Sequence, residues 1–328
     1  MRGQCAVGQD FEVPCYSPIT GYRAKHCNPS GKRSIVFNPS QGFTDLKVQL
    51  PCGRCIGCRL EYSRQWAVRC MHEAQMYDNN AFITLTYNDD NLPSDHSIHK
   101  KEVQKFFKRL RKNTGKKFRY FACGEYGEKN NRPHYHAIIF GYDFPDKRLW
   151  SKTKNGDLLF RSQELEKSWN KGHSLIGNVT FESCAYVARY IMKKRKGKPD
   201  TVDPRTGKTN EEYYKILDTE TGEIHQVEPE FCLMSRRPGL GKDWLDTYVK
   251  DTDKDFITIR GVKHKLPKYY DSILEQENEL DMQLRKDKRR KLANERKSDN
   301  TMERLEVKRK IKETQCKQLI RGYENYET

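Results

Sequence analysis

Residues 133–140 read Pro133-His134-Tyr135-His136-Ala137-Ile138-Ile139-Phe140. The run is apolar and rich in β-branched and aromatic side chains, which predicts a strand over 134–142. Strand side chains alternate between two faces, so His134 and His136 share one face. Upstream, 118–125 reads as a second strand. The segment between them carries Gly127, Asn130, Asn131 and Pro133, which predicts a loop and makes the pair a hairpin. Glu125 lies on the partner strand at the end nearest His134, on one face with Arg119, Phe121 and Cys123.

Outward from this hairpin the order is regular. Ala81-Phe82-Ile83-Thr84-Leu85-Thr86-Tyr87 reads as a strand, and 100–112 as a helix with Val103, Phe106, Phe107 and Leu110 at helical spacing. A short helix over 162–170, a strand over 174–180 and a helix over 182–194 follow. This β-α-β-β-α-β order plus a helix predicts an α+β, ferredoxin-like split β-α-β domain, its sheet antiparallel at the hairpin and its helices on one face. Residues 1–58 read as loop-rich, with short strands at 34–37 and 46–50, and 60–77 as a helix bearing Trp66, Ala67, Met71 and Ala74 on its apolar side. Residues 195–230 read as a polar insertion and 231–270 as a second aromatic and basic stretch. From 271 charges of both signs dominate, including Arg285-Lys286-Asp287-Lys288-Arg289-Arg290-Lys291, which predicts a solvated helix or a disordered tail.

The chain has 328 residues, with 62 Lys and Arg against 45 Asp and Glu and a formal net charge of +17. That excess predicts a polyanionic partner, nucleic acid being the usual one. The first ten residues hold no apolar core of signal-peptide length, and no stretch approaches the roughly 20 apolar residues of a membrane span. A soluble, intracellular protein is expected. Its 11 cysteines then read as thiols and metal ligands rather than a disulfide framework.

Three constellations carry chemistry. His134, His136 and Glu125 offer two imidazoles and a carboxylate, a donor set for Mg²⁺ or Mn²⁺ acting as a Lewis acid on phosphate. A lone H-x-H is common in ordinary strands; the adjoining carboxylate and the tyrosine helix give it weight. Tyr186 and Tyr190 are four apart, so their Cβ atoms should lie about 5–6 Å apart on one helix face. Aromatics at that spacing usually serve a core. Beside a polarised phosphate, however, a tyrosine hydroxyl is a nucleophile that leaves a covalent enzyme–DNA link. Two of them allow alternating cuts. Arg189, Lys193 and Lys194 on the same helix would hold flanking phosphates. Third, Cys52, Cys55 and Cys58 form C-x₂-C-x₂-C, suited to structural zinc with a fourth ligand from Cys15, His26 or Cys27. The alternatives are an iron–sulfur cluster, whose bacterial run needs Cys and Pro where Tyr62 and Ser63 stand, and three buried thiols without metal.

Pro238-Gly239-Leu240-Gly241-Lys242-Asp243 is not a Walker loop, because Asp follows the lysine. No ATPase is expected, and unwinding would fall to a separate helicase. Arg236, Arg237 and Trp244 are candidates either for DNA contact or for packing.

Phe82-Ile83-Thr84-Leu85-Thr86-Tyr87, then Gly124-Glu125-Tyr126-Gly127 to Arg132-Pro133-His134-Tyr135-His136, then Tyr186-x-x-x-Tyr190-x-x-Lys193-Lys194 resemble the three ordered motifs of rolling-circle replication initiators of the HUH endonuclease superfamily. Tyrosine between the histidines departs from that family's bulky aliphatic residue. Pro51-Cys52-Gly53-Arg54-Cys55-Ile56-Gly57-Cys58-Arg59 before Trp66, together with Ser235-Arg236-Arg237-Pro238-Gly239-Leu240-Gly241, narrows the resemblance, over about 50–270, to initiators of small single-stranded DNA phages of the Microviridae, gokushovirus-like ones above all. The resemblance implies metal-dependent nicking of one strand at an origin in single-stranded or supercoiled DNA, a 5′-phosphotyrosine intermediate and rejoining. It also implies a host helicase and DNA polymerase as partners and the cytoplasm of a host bacterium as the place of action. The domains expected are a Cys-rich region over 1–78, a nuclease core over 79–195, an insertion and accessory DNA-binding region over 196–270 and a charged tail over 271–328. The rival readings are a relaxase or transposase of the same superfamily and a non-catalytic single-stranded nucleic-acid-binding protein.

Overall fold

A computed structural model describes residues 15–29, 31–127, 131–153, 156–190, 198–202, 207–217 and 222–318. Three strands come first: β1 (Ile19–Cys27), β2 (Arg33–Val36) and β3 (Gly42–Leu50). Helix α1 (Ile56–Gln75) leads to β4 (Asn80–Tyr87), α2 (Lys100–Thr114) and the hairpin of β5 (Arg119–Tyr126) and β6 (Pro133–Phe140). A second hairpin, β7 (Arg148–Lys152) and β8 (Leu158–Arg161), precedes α3 (Gln163–Ser168), β9 (Gly172–Gly177) and α4 (Phe181–Tyr190). Next come α5 (Asn210–Tyr213), β10 (Lys215–Leu217), β11 (Ile224–Gln226), β12 (Phe231–Met234) and α6 (Lys242–Thr247). The last described elements are β13 (Phe256–Ile259), β14 (Val262–Lys265), α7 (Lys268–Glu277), α8 (Glu279–Glu295) and α9 (Met302–Lys317).

These elements fall into two units. One takes the residues up to Tyr62, Thr258–Lys265 and those from Leu274; the other takes Ser63–Ile257 and Leu266–Ile273. In the first, β1 to β3 form an antiparallel sheet in the order β2-β1-β3. The sequence reading found strands only near β2 and within β3. β1 mixes Gly21, Arg23, Lys25 and His26 among its apolar residues, so its ladder rather than its own pattern makes it a strand. The charged segment from 271 is helical through Lys317. α8 buries Met282 and α9 buries Leu305, and their exposed faces carry pairs such as Arg285 with Asp281 at 2.7 Å and Arg309 with Glu306 at 2.6 Å.

The second unit is built on a seven-stranded antiparallel sheet in the order β12-β5-β6-β4-β9-β8-β7. Its inner strands run β5-β6-β4-β9. α2 joins β4 to β5 and α3 lies between β6 and β9, so β6 threads between the two strands that α2 connects. On one face Ala81, Ile83, Leu85, Tyr87, Ala137 and Ile139 pack with Val103, Phe106, Phe107 and Leu110 of α2. On the other, Phe82, Phe121, Cys123, Ile138 and Phe140 pack with Ala67, Cys70 and Ala74 of α1 and with Cys184, Tyr186 and Val187 of α4.

Helices therefore cover both faces of the sheet, where one covered face was expected. The reason is visible in β6, all eight of whose residues are buried. A strand apolar on both sides needs cover on both. β7, β8 and β12 were not read as strands either; each has only four or five residues, and β7 is largely exposed.

Candidate active site and cysteine cluster

The register of β6 builds the site. On the β5 side Glu125 stands opposite His134 and Cys123 opposite His136. On the β4 side Thr86 stands opposite His134 and Thr84 opposite His136. His136 Nε2 lies 2.8 Å from Glu125 Oε1, with both side chains 3% exposed. His136 Nδ1 meets Thr84 Oγ1 at 3.0 Å, and His134 Nδ1 meets Thr86 Oγ1 at 3.1 Å. The intervening Tyr135 faces the opposite core. Its hydroxyl accepts the His99 N–H at 2.8 Å and meets the Tyr87 hydroxyl at 3.1 Å. Burial drives its phenol well above the usual tyrosine range. A tyrosine between the histidines thus has a structural use, since an aliphatic residue would leave the His99 N–H without this acceptor.

Helix α4 starts at a reciprocal cap: Ser183 N–H donates to Thr180 Oγ1 at 3.1 Å, and Thr180 N–H donates to Ser183 Oγ at 2.8 Å. Farther along the helix, Tyr186 sits edge-on to His136, ring centroids 5.2 Å apart at 85°. It also packs edge-on to Phe82 at 6.2 Å. The Arg189 guanidinium lies 5.8 Å from the Tyr186 ring centroid. Tyr190 closes α4; its side chain, and Lys193 and Lys194, lie outside the described residues.

The structure thus brings together His136, Glu125, Tyr186 and Arg189, with His134 on the same face. Ligand atoms at neighbouring corners of an octahedron of 2.0–2.1 Å bonds are about 3.0 Å apart, so the His136–Glu125 pair fits two sites of one hard cation. His134 stands further off. Among the described residues, the one set of three or more His, Cys, Asp or Glu ligands with all atoms within 4.8 Å is Cys15, Cys52, Cys55 and Cys58. Thr84 and Thr86 were not anticipated as site residues. The signal was there: Thr-x-Thr on β4 has the same period as His-x-His on β6. The exposed His173, opposite Thr86 on β9, was likewise missed.

Arg236 and Arg237 are exposed, but they follow β12, whose last residue Met234 pairs with Phe121. They lie toward the Arg119 end of β5, about 20 Å of strand from Glu125. Trp244 is 5% exposed and stacks on His72 at 3.4 Å, so it belongs to the packing rather than to a base-stacking surface. The 238–243 loop binds an anion of the chain's own. Gly241 N–H donates to Glu73 Oε2 at 2.7 Å, and Arg119 Nη1 lies 2.8 Å from Glu73 Oε1. Gly241 has φ +78, and a Cβ there would strike the Tyr270 hydroxyl, so glycine is required.

In the other unit the four sulfurs sit at the start of α1. Cys15 and Cys55 sulfurs are 3.9 Å apart, against about 3.8 Å for the edge of a zinc tetrahedron with 2.3 Å bonds. Backbone N–H groups point at them: Cys52 N–H at Cys15 Sγ (3.2 Å), Arg54 and Cys55 N–H at Cys52 Sγ (3.4 and 3.3 Å), Tyr16 N–H at Cys55 Sγ (3.3 Å). Gly53, at φ +70, turns the backbone so that these donors converge. Burial pushes the Cys15 and Cys58 thiols up. At Cys55 burial acts the same way, but the N–H groups of Cys58 and Tyr16 outweigh it and the net shift is downward. The set can hold a structural metal. It settles the fourth partner among the three candidates in favour of Cys15: His26 and Cys27 are not in this group.

The family model for replication-associated proteins of the ORF2 type matches residues 80–195, the span from β4 through α4. Replication-associated protein VP4 of Bdellovibrio phage phiMH2K is 30% identical over 246 residues, covering 72% of this chain and 71% of that protein. Replication-associated protein ORF2 of Spiroplasma virus 4 is 32% identical over 259 residues, covering 74% of each. Replication-associated protein ORF4 of Chlamydia phage 1 is 27% identical over 234 residues, covering 69% of this chain and 53% of that protein. No solved structure matches the chain significantly. With two such relatives matched over most of both lengths, the chain belongs to the replication-associated protein family of the Microviridae.

Proposed function

We propose that this chain initiates replication of a small circular DNA by nicking one strand at the origin and later rejoining it. The observation that carries the reading is Tyr186 packed 5.2 Å edge-on to His136, whose Nε2 is bonded to Glu125. The β5-β6-β4-β9 strand order supports a ferredoxin-like, HUH-type core, since it is the order that β-α-β-β-α-β connectivity produces when β6 inserts between β4 and β5. Glu125, His134 and His136 would hold a divalent metal, Mg²⁺ or Mn²⁺, which supplies polarisation of the scissile phosphate. The Tyr186 oxygen attacks phosphorus, the bond to the 3′ oxygen breaks, and the phenolic proton passes to solvent while the 3′ oxygen takes one up. The products are a 5′-phosphotyrosine and a 3′-hydroxyl that primes synthesis. Tyr190, one helical turn on, makes the second cut, and the freed 3′ end attacks the phosphotyrosine to close the displaced circle. Arg189 neutralises phosphate beside Tyr186. Lys193 and Lys194 continue that role along the chain, and Arg236 and Arg237 contact DNA farther away. The four cysteines hold zinc as a brace. Unwinding and synthesis fall to a host helicase and polymerase in the bacterial cytoplasm; among the described residues no helix is long and apolar enough to cross a membrane.

The test is a denaturing-gel assay on labelled single-stranded oligonucleotides tiled across the parent replicon, with Mn²⁺, Mg²⁺ or EDTA. A metal-dependent covalent adduct that Tyr186→Phe weakens and Tyr186→Phe/Tyr190→Phe abolishes supports the reading. Tight binding with no adduct under either metal across the whole tiling would refute it in favour of a non-catalytic binding protein.

A further inference from the structure

We infer that Thr84 and Thr86 are positioning residues that set the imidazoles of His136 and His134 for a divalent cation. The inference rests on the metal-dependent reading above and names what orients its ligands. Each threonine stands directly opposite its histidine in the β4–β6 register, and each hydroxyl meets that ring's Nδ1, at 3.0 and 3.1 Å. The pairing is one to one, and both contacts leave Nε2 as the ring's other nitrogen. Around them β4 is packed with apolar residues: Phe82, Ile83, Leu85 and Tyr87 are each at most 1% exposed. Thr84 and Thr86 alternate with these as the half-buried hydroxyl positions of the strand's site-facing side. Burial does not require a hydroxyl there, since valine has the same shape and a comparable strand preference.

Hydroxyl chemistry explains the choice. An ionised Glu125 only accepts, so His136 Nε2–H donates to it, and Nδ1 must then accept the Thr84 O–H. A cation held at Nε2 needs that nitrogen's lone pair, so the ring must carry its proton on Nδ1 and Thr84 must accept. In that exchange one proton leaves Nε2 for water and one reaches Nδ1 from water, and the ring stays neutral. A hydroxyl serves both states by rotating about its C–O bond. A carboxylate or carbonyl would serve only the second, and a bare N–H only the first. Thr84 therefore anchors the His136 ring in either tautomer, and Thr86 stands to His134 in the same relation. Partners of this kind hold a ligand ring in place, and their loss typically weakens metal affinity 10- to 100-fold.

The test uses the full-length chain and Mn²⁺ alone, titrated with free ion followed by electron paramagnetic resonance. Wild type is compared with Thr84→Val/Thr86→Val, Thr84→Ser/Thr86→Ser and His134→Ala/His136→Ala. Retained far-ultraviolet circular dichroism of the valine variant shows that β4 still folds. In parallel, ¹⁵N-histidine spectra with and without Mg²⁺ read the ring tautomers. The expected result is Mn²⁺ binding that the alanine pair abolishes, that the valine pair weakens about 10- to 100-fold and that the serine pair restores to within a few-fold. The His136 tautomer should be mixed in the metal-free valine variant. Valine variants binding Mn²⁺ within about twofold of wild type, with unchanged tautomers, would overturn the inference and leave the metal-dependent reading standing. Wild type showing no Mn²⁺ binding that depends on His134 and His136 would bring down that reading, and the inference with it.

Discussion

Replacing Glu73 by alanine tests whether the 238–243 loop is fixed by an internal anion. The carboxylate has no exposed surface; it accepts Gly241 N–H at 2.7 Å, takes the Tyr77 hydroxyl at 3.4 Å and faces Arg119 at 2.8 Å. Arg119 also donates to the Pro238 carbonyl and lies 3.5 Å from Asp243. Alanine leaves a guanidinium and a buried N–H without their main acceptor. Breaking a buried pair from one side costs about 3–5 kcal/mol. Asp243 stays within reach of Arg119, which places the loss near the lower bound, about 3 kcal/mol. For a unit of this size each kcal/mol lowers the melting temperature by about 2–4 °C, so the drop should be roughly 6–12 °C. Urea unfolding followed by tryptophan fluorescence measures it, because Trp244 and Trp66 belong to the same unit. Glu73→Ala/Arg119→Ala should lose less than the sum of the single changes. A loss below about 1 kcal/mol in Glu73→Ala, or strict additivity in the pair, would refute the argument that this network holds the loop.

Further outcomes are expected elsewhere. Cys52→Ser should remove bound zinc, about one ion per chain in wild type, as read by elemental analysis of the purified protein. Tyr135→Phe should cost about 1–3 kcal/mol, because the His99 N–H loses its acceptor; adduct formation per folded molecule should survive, since Tyr135 faces away from Tyr186. Two carboxylates should respond to pH in opposite senses. Burial pushes Glu102 up, but Lys171 at 2.9 Å and Lys105 at 3.1 Å outweigh it and hold it below its ordinary value. Its stabilisation is present above about pH 4.3 and is lost as pH falls through the folded value, so wild type and Glu102→Gln should converge in acid. Glu73 is pushed up, chiefly by burial, against the Gly241 N–H and Arg119. The folded chain therefore holds that proton more tightly than the unfolded chain. Stability from this group is full below the ordinary carboxylate value and declines as pH rises through the folded one. Urea titrations of Glu73→Gln beside wild type at several pH values would show whether that sign is right.

What could be read in the sequence was what local pattern determines. The strand from Ala81 to Tyr87, the hairpin that pairs Glu125 with His134, the tyrosine helix and the C-x₂-C-x₂-C run all carry their signals within a few residues. What was missed depends on partners distant in the chain. Phe231-Cys232-Leu233-Met234 is too short to mark a strand alone, and becomes one by pairing with Phe121 to Gly124 more than 100 residues earlier. α1 covers a sheet face because the strands are apolar on both sides, a property of β6 that a search for alternation passes over. α8 and α9 each bury one residue, which leaves almost no periodic pattern to detect. The site was partly legible for the same reason. His134, His136, Glu125 and Tyr186 have recognisable chemistry, whereas Thr84 and Thr86 are ordinary strand residues until the register sets them against the histidines.

That register gives the site an all-or-none character. Side chains alternate with a period of two, so sliding β6 by one residue along β4 and β5 would turn both histidines to the far side at once and present Tyr135 and Ala137 in their place. Such a slip would also pull the Tyr135 hydroxyl off His99 and Tyr87, and drive two imidazoles into the packed face of α2. Misaligned chains would therefore be unstable as well as inactive, and a molecule stable enough to persist during replication carries both histidines on the side where Tyr186 waits.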